Sequence, residues 1–384
     1  MLTIEQYNGI FPIYVYMLLV LPAVVLGLCG RKSKLLNLII SLVMLALLLG
    51  TLSLQMWEFV IFLVCELTLV YGYCFARAAC KSEWLYRAVF ALSLLPLILV
   101  KGCARTDLGA YVGFIGISYI SFKVWELIIN IHDERLPSTA PIDILGFLLF
   151  APVFSSGPIA RYGAFLDEST RRISPSKYAT EYFIPGVKKI VIGMFYKFTM
   201  AFLINTYIMD GCREGFFTDT VVYMYAYTLY LFFDFAGYSL MAVGTGYLMG
   251  IRIGDNFNRP FLARNIKEFW ERWHISLSSW FNDYLFSRIV LSGMRSGLFK
   301  DTKQASRIAY VTTMCTMGLW HGFYLHYILY GLYHGILLVA TDIWVKSKAF
   351  RSVKKMRYYD WVSRTICFQF IAFGMLMFSG FLFE

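Results

Sequence analysis

The stretch EFWERWHISLSSWF, residues 268–281, sets one imidazole, His274, among Trp270, Trp273 and Trp280, with Glu268, Glu271 and Arg272 beside it. A second stretch, GLWHGFYLHYILYGLYHG at 318–335, carries His321, His326 and His334. Imidazole is the side chain that takes and returns a proton near neutral pH, so proton-transfer chemistry would run through these residues. The remaining histidine, His132, precedes Asp133, Glu134 and Arg135 and reads as a loop end. HExxH does not occur. On one continuous helix, at about 100° per residue, His321 and His334 would face nearly opposite ways. A metal site built from that segment alone is therefore not expected.

His321 lies between Gly318 and Gly322 in an apolar segment. An ionisable group at membrane depth costs about 2–3 kcal/mol if charged and marks a functional position by default. Small neighbours let another backbone or a substrate come close. A neutral histidine hydrogen-bonded between helices is the other reading, and spacing does not decide between them. If 266–281 is one helix, Phe269, Trp270, Trp273 and Leu277 form an apolar stripe. Glu268 and Arg272 are then an i, i+4 pair. That predicts an amphipathic helix at an interface with indoles as anchors, which leaves His274 open to a functional or a purely anchoring role.

The elements that must position these groups are membrane spans. The 384 residues are 59% hydrophobic, 18% aromatic and 15% charged, with mean hydropathy +0.61. A soluble domain carries about 25% charge, so lipid must be the solvent for much of this surface. Apolar runs near 11–29, 35–54, 57–75, 86–100, 110–131, 187–209, 221–250, 308–345 and 361–383 predict an all-α polytopic protein with about ten or eleven crossings. The runs at 221–250 and 308–345 are long enough for more than one crossing, whereas 142–154 is too short for an upright span and is expected to be tilted or re-entrant. The first run lacks a basic leader and an A-x-A-like end, so it is expected to stay as a span. Eight scattered cysteines without a CxxC pair read as small buried hydrophobes rather than a zinc or disulfide framework.

The N-terminus has no Lys or Arg, while loops 31–34 and 77–87 are basic, which places the N-terminus outside and those loops in the cytoplasm. The 346–357 stretch is basic as well. A net charge of +11 fits attraction to anionic lipid, and some of these cations could dock an acidic protein. Nucleic acid is not expected, because no basic segment stands apart from the spans. Two polar interruptions, 155–185 and 251–307, cannot face lipid and must be buried or line a wet cavity. Function is expected there.

WHISLSSWFNDYL (273–285) followed by GLWHG (318–322) resembles the core of the membrane-bound O-acyltransferase (MBOAT) family. SSGPIARY (155–162), FFDFAGYSLMAVG (232–244) and NFNRPFLARNIKEFWERW (256–273) resemble its bacterial branch, in order, from about residue 110 onward. FSRIVLSGMRSGLFKDTK (286–303) stands where alginate-type relatives carry a glycine-rich segment, as in the branch that D-alanylates teichoic acids. The resemblance implies one domain over 1–384, with N-terminal spans at 1–109, a catalytic core at 110–345 and a basic loop with the last hydrophobic segment at 346–384. It implies a ring of spanning helices around a thinned centre, with re-entrant or interfacial helices and a tunnel.

It also implies an acyltransferase in a bacterial cell membrane. The enzyme would move D-alanine from a phosphopantetheine thioester on an acidic carrier protein in the cytoplasm to teichoic acid hydroxyls outside, lowering the wall's negative charge. The pantetheine is supplied on the carrier, so no cofactor or metal need be bound by this chain. A small single-span membrane partner is compatible with this picture. The family's WHG histidine falls on His321 and its RWH histidine on His274, the two candidate catalytic residues. Glycines beside His321 are expected to leave room for the acyl group, and the tryptophans to wall the centre. Asp234 and Asn256 are expected to be structural, satisfying broken backbone, with Arg161 or Arg259 as pairing partners or anion contacts. Basic charge beside apolar residues at 287–303 suits carrier docking through Val290, Leu291, Met294, Arg295 and Lys303; a loop resting on lipid headgroups is the alternative. O-acetylation of an exported polysaccharide or peptidoglycan is the second enzymatic reading, and a transporter or flippase the non-enzymatic one.

Overall fold

The computed structural model describes residues 7–383 except 8, 105, 107, 108, 110, 111 and 213–216, and every regular element among them is helical. The residues 1–6 and 8, on which the expected extracellular placement of the N-terminus rests, lie outside the described residues. The chain divides into two compact units, 1–194 with 238–254, and 195–237 with 255–384.

The first unit holds α1 (Ile10–Leu28), α2 (Lys34–Leu49), α3 (Leu54–Ala79), α4 (Glu83–Cys103), α5 (Ile117–His132), α6 (Pro141–Leu148), α7 (Tyr162–Thr170), α8 (Pro175–Tyr178) and α9 (Ile184–Phe195). Its hub is α5, which packs on α3, α4, α6 and α7. Thirteen of the 16 residues of α5 are buried in protein. Two of them are charged, and each meets the opposite end of a helix dipole. Lys123 Nζ donates to the carbonyls of Phe147 (2.9 Å) and Leu148 (3.3 Å), the last residues of α6. Glu126 Oε1 accepts from the Tyr162 N–H (2.7 Å), the first residue of α7. Cations are stabilised at helix C-termini and anions at N-termini, so buried charge here joins short helices to the hub. The 142–154 run folds as the eight-residue α6 and a 3-10 turn at Ala151–Val153, too short to stand across a bilayer.

The second unit holds α10 (Phe202–Ile204), the first part of α11 (Phe217–Leu248), α12 (Ile266–Trp270), α13 (Ile275–Phe281), α14 (Ser287–Arg295), α15 (Thr302–His321), α16 (Leu325–Val345), α17 (Lys348–Val353) and α18 (Tyr359–Ser379). The 221–250 run is one 32-residue helix, α11, rather than two crossings. The 308–345 run does divide, at Gly322–Tyr324, into α15 and α16. These two pack closely because their shared face is glycine. A Cβ on Gly318 would lie 2.3 Å from the Tyr327 carbonyl oxygen, and one on Gly331 2.5 Å from that of Met314. Only glycine permits backbones that near.

Among the described residues six helices are long and apolar enough to cross a membrane: α1, α3, α4, α11, α16 and α18. α2 is apolar but only 16 residues long. The 187–209 run is interrupted by wide π turns at Tyr196–Ala201 and Asn205–Met209. The protein is an all-α polytopic membrane protein.

Candidate active site

His274 sits at a break, not inside a helix. α12 starts at Asn265, whose side chain accepts from the Glu268 N–H (2.9 Å), and ends at Trp270. α13 starts after His274, which adopts φ +45, in the left-handed region. Histidine is among the residues that tolerate this region, and such a residue persists only when its surroundings over-determine it. Those surroundings are residues 256–258. The Asn258 N–H donates to the Arg272 carbonyl (3.0 Å), and the Ile275 N–H to the Asn256 carbonyl (2.9 Å). Asn256 Oδ1 accepts from the Ser276 N–H (3.1 Å) and hydroxyl (2.6 Å). A side chain 20 residues upstream therefore caps the first turn of α13. This bears out the structural reading of Asn256 as a group that satisfies broken backbone.

The continuous helix expected over 266–281 is thus two, because Asn256 offers the 274–276 backbone better partners than another helical turn. The Glu268–Arg272 pair does form (2.6 Å), and Arg264 joins it from the other side (3.2 Å). The indoles are not surface anchors: Trp270, Trp273 and Trp280 are 8%, 4% and 4% exposed, and Phe269 is fully buried. His274 is 5% exposed, packs edge-on to Phe235 at 4.7 Å, and has no hydrogen-bond partner at Nδ1. Burial lowers its pKa from 6.5 to about 3. The ring is neutral at pH 7 and offers hydrogen bonds rather than charge.

His321 is the last residue of α15 and is half-buried. Trp320 (4.6 Å), Tyr327 (5.7 Å) and Phe378 (4.8 Å) surround its ring. The flanking glycines do not leave a void for an acyl group, as the sequence suggested. The space of a Gly318 side chain is filled by α16 backbone, and a Cβ on Gly322 would meet the Tyr327 and Tyr324 rings at 3.1 and 3.2 Å.

A chain of ring contacts joins the two histidines. It runs from His274 through Phe235, Phe257, Trp273 and Phe269 to His334. From His334 it continues through Tyr330 and Phe378 to His321. His334, which sequence reasoning did not select, is the middle of this wall. It is 0% exposed, lies 5.3 Å from Trp270, and has no partner at either nitrogen. The signal that pointed to it is GLYHG, the echo of GLWHG.

Beside this wall is a cavity of about 530 Å³, bounded by the 267–286 stretch and α15. Lys267, Glu271, Ser278 and Asn282 give it polar sides, and the buried, unpartnered Thr313 hydroxyl belongs to its lining. Met317, four residues before His321, lines it too.

The remaining candidates divide. Asp234 pairs with Lys197 rather than Arg161 or Arg259; Arg161 lies 3.9 Å from Glu126. The short helix α14 carries Val290, Leu291, Met294 and Arg295 and packs on α15, whose first turn holds Lys303. Leu291 and Met294 are 56% and 37% exposed, and Arg295 and Lys303 are exposed, while Val290 is half-buried. Phe299 folds back into the place of a Gly293 side chain, where a Cβ would meet its ring at 2.0 Å, and is buried.

Residues 34–383 match the membrane-bound O-acyltransferase family, MBOAT. A protein of Bacillus subtilis (strain 168) named Teichoic acid D-alanyltransferase is 36% identical over 375 residues, which cover 94% of this chain and 95% of its own. One of the same name from Streptococcus thermophilus is 34% identical over 400 residues, 99% and 96% of the two chains. A Pseudomonas aeruginosa protein named "Probable alginate O-acetylase AlgI" is 34% identical over 272 residues, 69% of this chain and 48% of its own. With the family match covering nearly all of its length, the chain belongs to the membrane-bound O-acyltransferase family and is an acyltransferase.

Proposed function

We propose that the chain moves D-alanine from a phosphopantetheine thioester on an acidic carrier protein in the cytoplasm to hydroxyls of teichoic acid outside. The observation that carries this reading is the end-to-end match to relatives named Teichoic acid D-alanyltransferase. The acetylase relative matches over only part of both chains, which makes acetylation of an exported polysaccharide the second reading.

His321 is the general base. As an acceptor hydroxyl attacks the thioester carbonyl, His321 takes its proton; the C–S bond breaks as the ester C–O bond forms, and the proton passes to the departing thiolate. An imidazole is suited to both transfers at neutral pH. The half-buried His321 can be reached, whereas His274 is nearly enclosed. His274 is a hydrogen-bonding and positioning group. The cavity of about 530 Å³ has room for the slender pantetheine arm, with Thr313 Oγ1 free to bond an amide of the arm and Met317 one turn short of the base. Holding thioester and hydroxyl together replaces several kcal/mol of entropic cost. Val290, Leu291, Met294, Arg295 and Lys303 receive the carrier.

The test is reconstitution in vesicles with carrier bearing labelled D-alanine, reading label on the acceptor. His321→Ala is expected to abolish transfer while carrier pull-down persists. Near-normal transfer by that variant removes His321 from the chemistry. Label taken from acetylated but not D-alanylated donors replaces the first reading with the second.

A further inference from the structure

α16 and α18 are adjacent spans, and the link between them, with α17, is the most basic part of the chain. Between Ser347 and Tyr358 it carries Lys348, Arg351, Lys354, Lys355 and Arg357 and no acidic residue. All five are exposed. The neighbouring carboxylates are already engaged: Asp342 with Lys346 and Arg307, and Asp360 with Arg264 and Arg364. None of the described ion pairs involves the five cations of the link. Two of them instead lie over rings, Lys354 over Phe350 (5.8 Å) and Arg357 over Tyr358 (5.6 Å).

Behind this basic link opens a cavity of about 550 Å³. Its walls are apolar side chains of both spans, Leu337 from α16 with Val362, Ile366 and Phe370 from α18, and Arg357 and Arg264 stand in its lining. Trp344, Tyr358 and Trp361 are 44%, 67% and 70% exposed at the same ends of the two spans. Exposed Trp and Tyr at span ends mark the membrane interface. The cavity therefore begins at headgroup depth and continues between two lipid-facing helices.

We propose that this cavity is a specific site for one anionic glycerophospholipid, its acyl chain between α16 and α18 and its phosphate at Arg357, Lys354 and Lys355. Charge complementarity selects the occupant. Arg357 in the lining and four further cations on the adjoining link, none in a described ion pair, call for an anion, and a concave apolar interior calls for a chain rather than a protein face. Basic pockets between spans on the cytoplasmic side are where anionic headgroups collect. A basic link also belongs on that side by the positive-inside rule. The site is separate from His321, His274 and the α14 docking face, and it does not depend on which acyl group the enzyme moves.

The experiment uses the purified full-length protein in detergent, with binding read by native mass spectrometry and by melting temperature. The probes are dioleoyl phosphatidylglycerol, dioleoyl phosphatidylcholine with the same chains and a zwitterionic head, and glycerol phosphate with no chains. Phosphatidylglycerol is expected to bind at saturable one-to-one stoichiometry and raise the melting temperature, and the other two are not. Replacing Lys354, Lys355 and Arg357 together with Gln is expected to weaken that binding by roughly 100-fold, from about 1 kcal/mol per cation. Ala340→Trp, which fills the cavity from α16, is expected to abolish it. The triple Gln variant changes only exposed side chains, so it decides the matter if Ala340→Trp does not fold. Equal binding of phosphatidylcholine reduces the cavity to a generic lipid contact and overturns the proposal. So does a shift reproduced by glycerol phosphate, or phosphatidylglycerol binding unchanged in the triple variant. Loss of carrier pull-down by the triple variant with lipid binding intact would instead make the link a protein-docking surface.

Discussion

Asn256→Ala tests whether a distant amide, rather than local helix propensity, positions His274. Asn256 Oδ1 accepts from the Ser276 N–H at 3.1 Å and the Ser276 hydroxyl at 2.6 Å, and the residue is 1% exposed. Losing two part-buried bonds of about 1 kcal/mol each destabilises. Removing Asn256 Nδ2, which is buried without a partner, offsets part of that. The net is about 1 kcal/mol, the usual cost of an N-cap lost to alanine. For a unit of this size that is roughly 2–4 °C in melting temperature. Activity should fall further than stability. The left-handed turn at His274 is held by the 256–258 pairing, and misplacing a functional group by about 1 Å costs on the order of 100-fold. The assays are thermal melting in detergent and turnover with loaded carrier, run on Asn256→Ala, Ser276→Ala and the double variant. A coupling of about 1 kcal/mol between the two sites is expected. A single variant that melts and turns over like the parent, with coupling near zero, refutes the positioning of His274 by Asn256.

Three further outcomes follow from the same geometry. Gly318→Leu should separate α15 from α16, because its Cβ alone would sit 2.3 Å from the Tyr327 carbonyl oxygen; overpacking costs about 1–3 kcal/mol, and a variant that melts like the parent shows the two helices are not in that contact. The His274 imidazole binds its proton near pH 3 in the folded protein but near 6.5 when unfolded. Between those values the unfolded state holds more protons, so stability falls as pH drops below 6.5 and is level above it, with about 1.4 kcal/mol lost by pH 5.5. His274→Gln should remove that part of the acid sensitivity, and equal slopes in parent and variant would place the sensitivity elsewhere. Val290→Asp on α14 should sharply weaken carrier pull-down by placing an unpaired charge in the contact, and Arg295→Glu should slow association and reduce its salt dependence; unchanged capture in both moves the docking site off α14.

What the sequence alone determined is what depends on local composition and on the solvent. Its apolar runs admit only lipid as the medium, and the polar interruption at 251–307 is visible because charge is costly in a span. His321 and His274 were legible as candidates for the same reason. What only the tertiary structure decided is every question of partnership. Periodicity extends a helix through His274, but the chain breaks there because Asn256, 20 residues away, caps the next one. Gly318 reads as room for a ligand until α16 occupies it. That Lys123 and Glu126, charges inside an apolar run, meet the ends of α6 and α7 is likewise set by packing. Asp234 finds Lys197, and His334 becomes the middle of the aromatic wall. Spacing records what a residue can do along one element. Which backbone, charge or ring meets it from another element is set by long-range packing, and no local pattern carries that information.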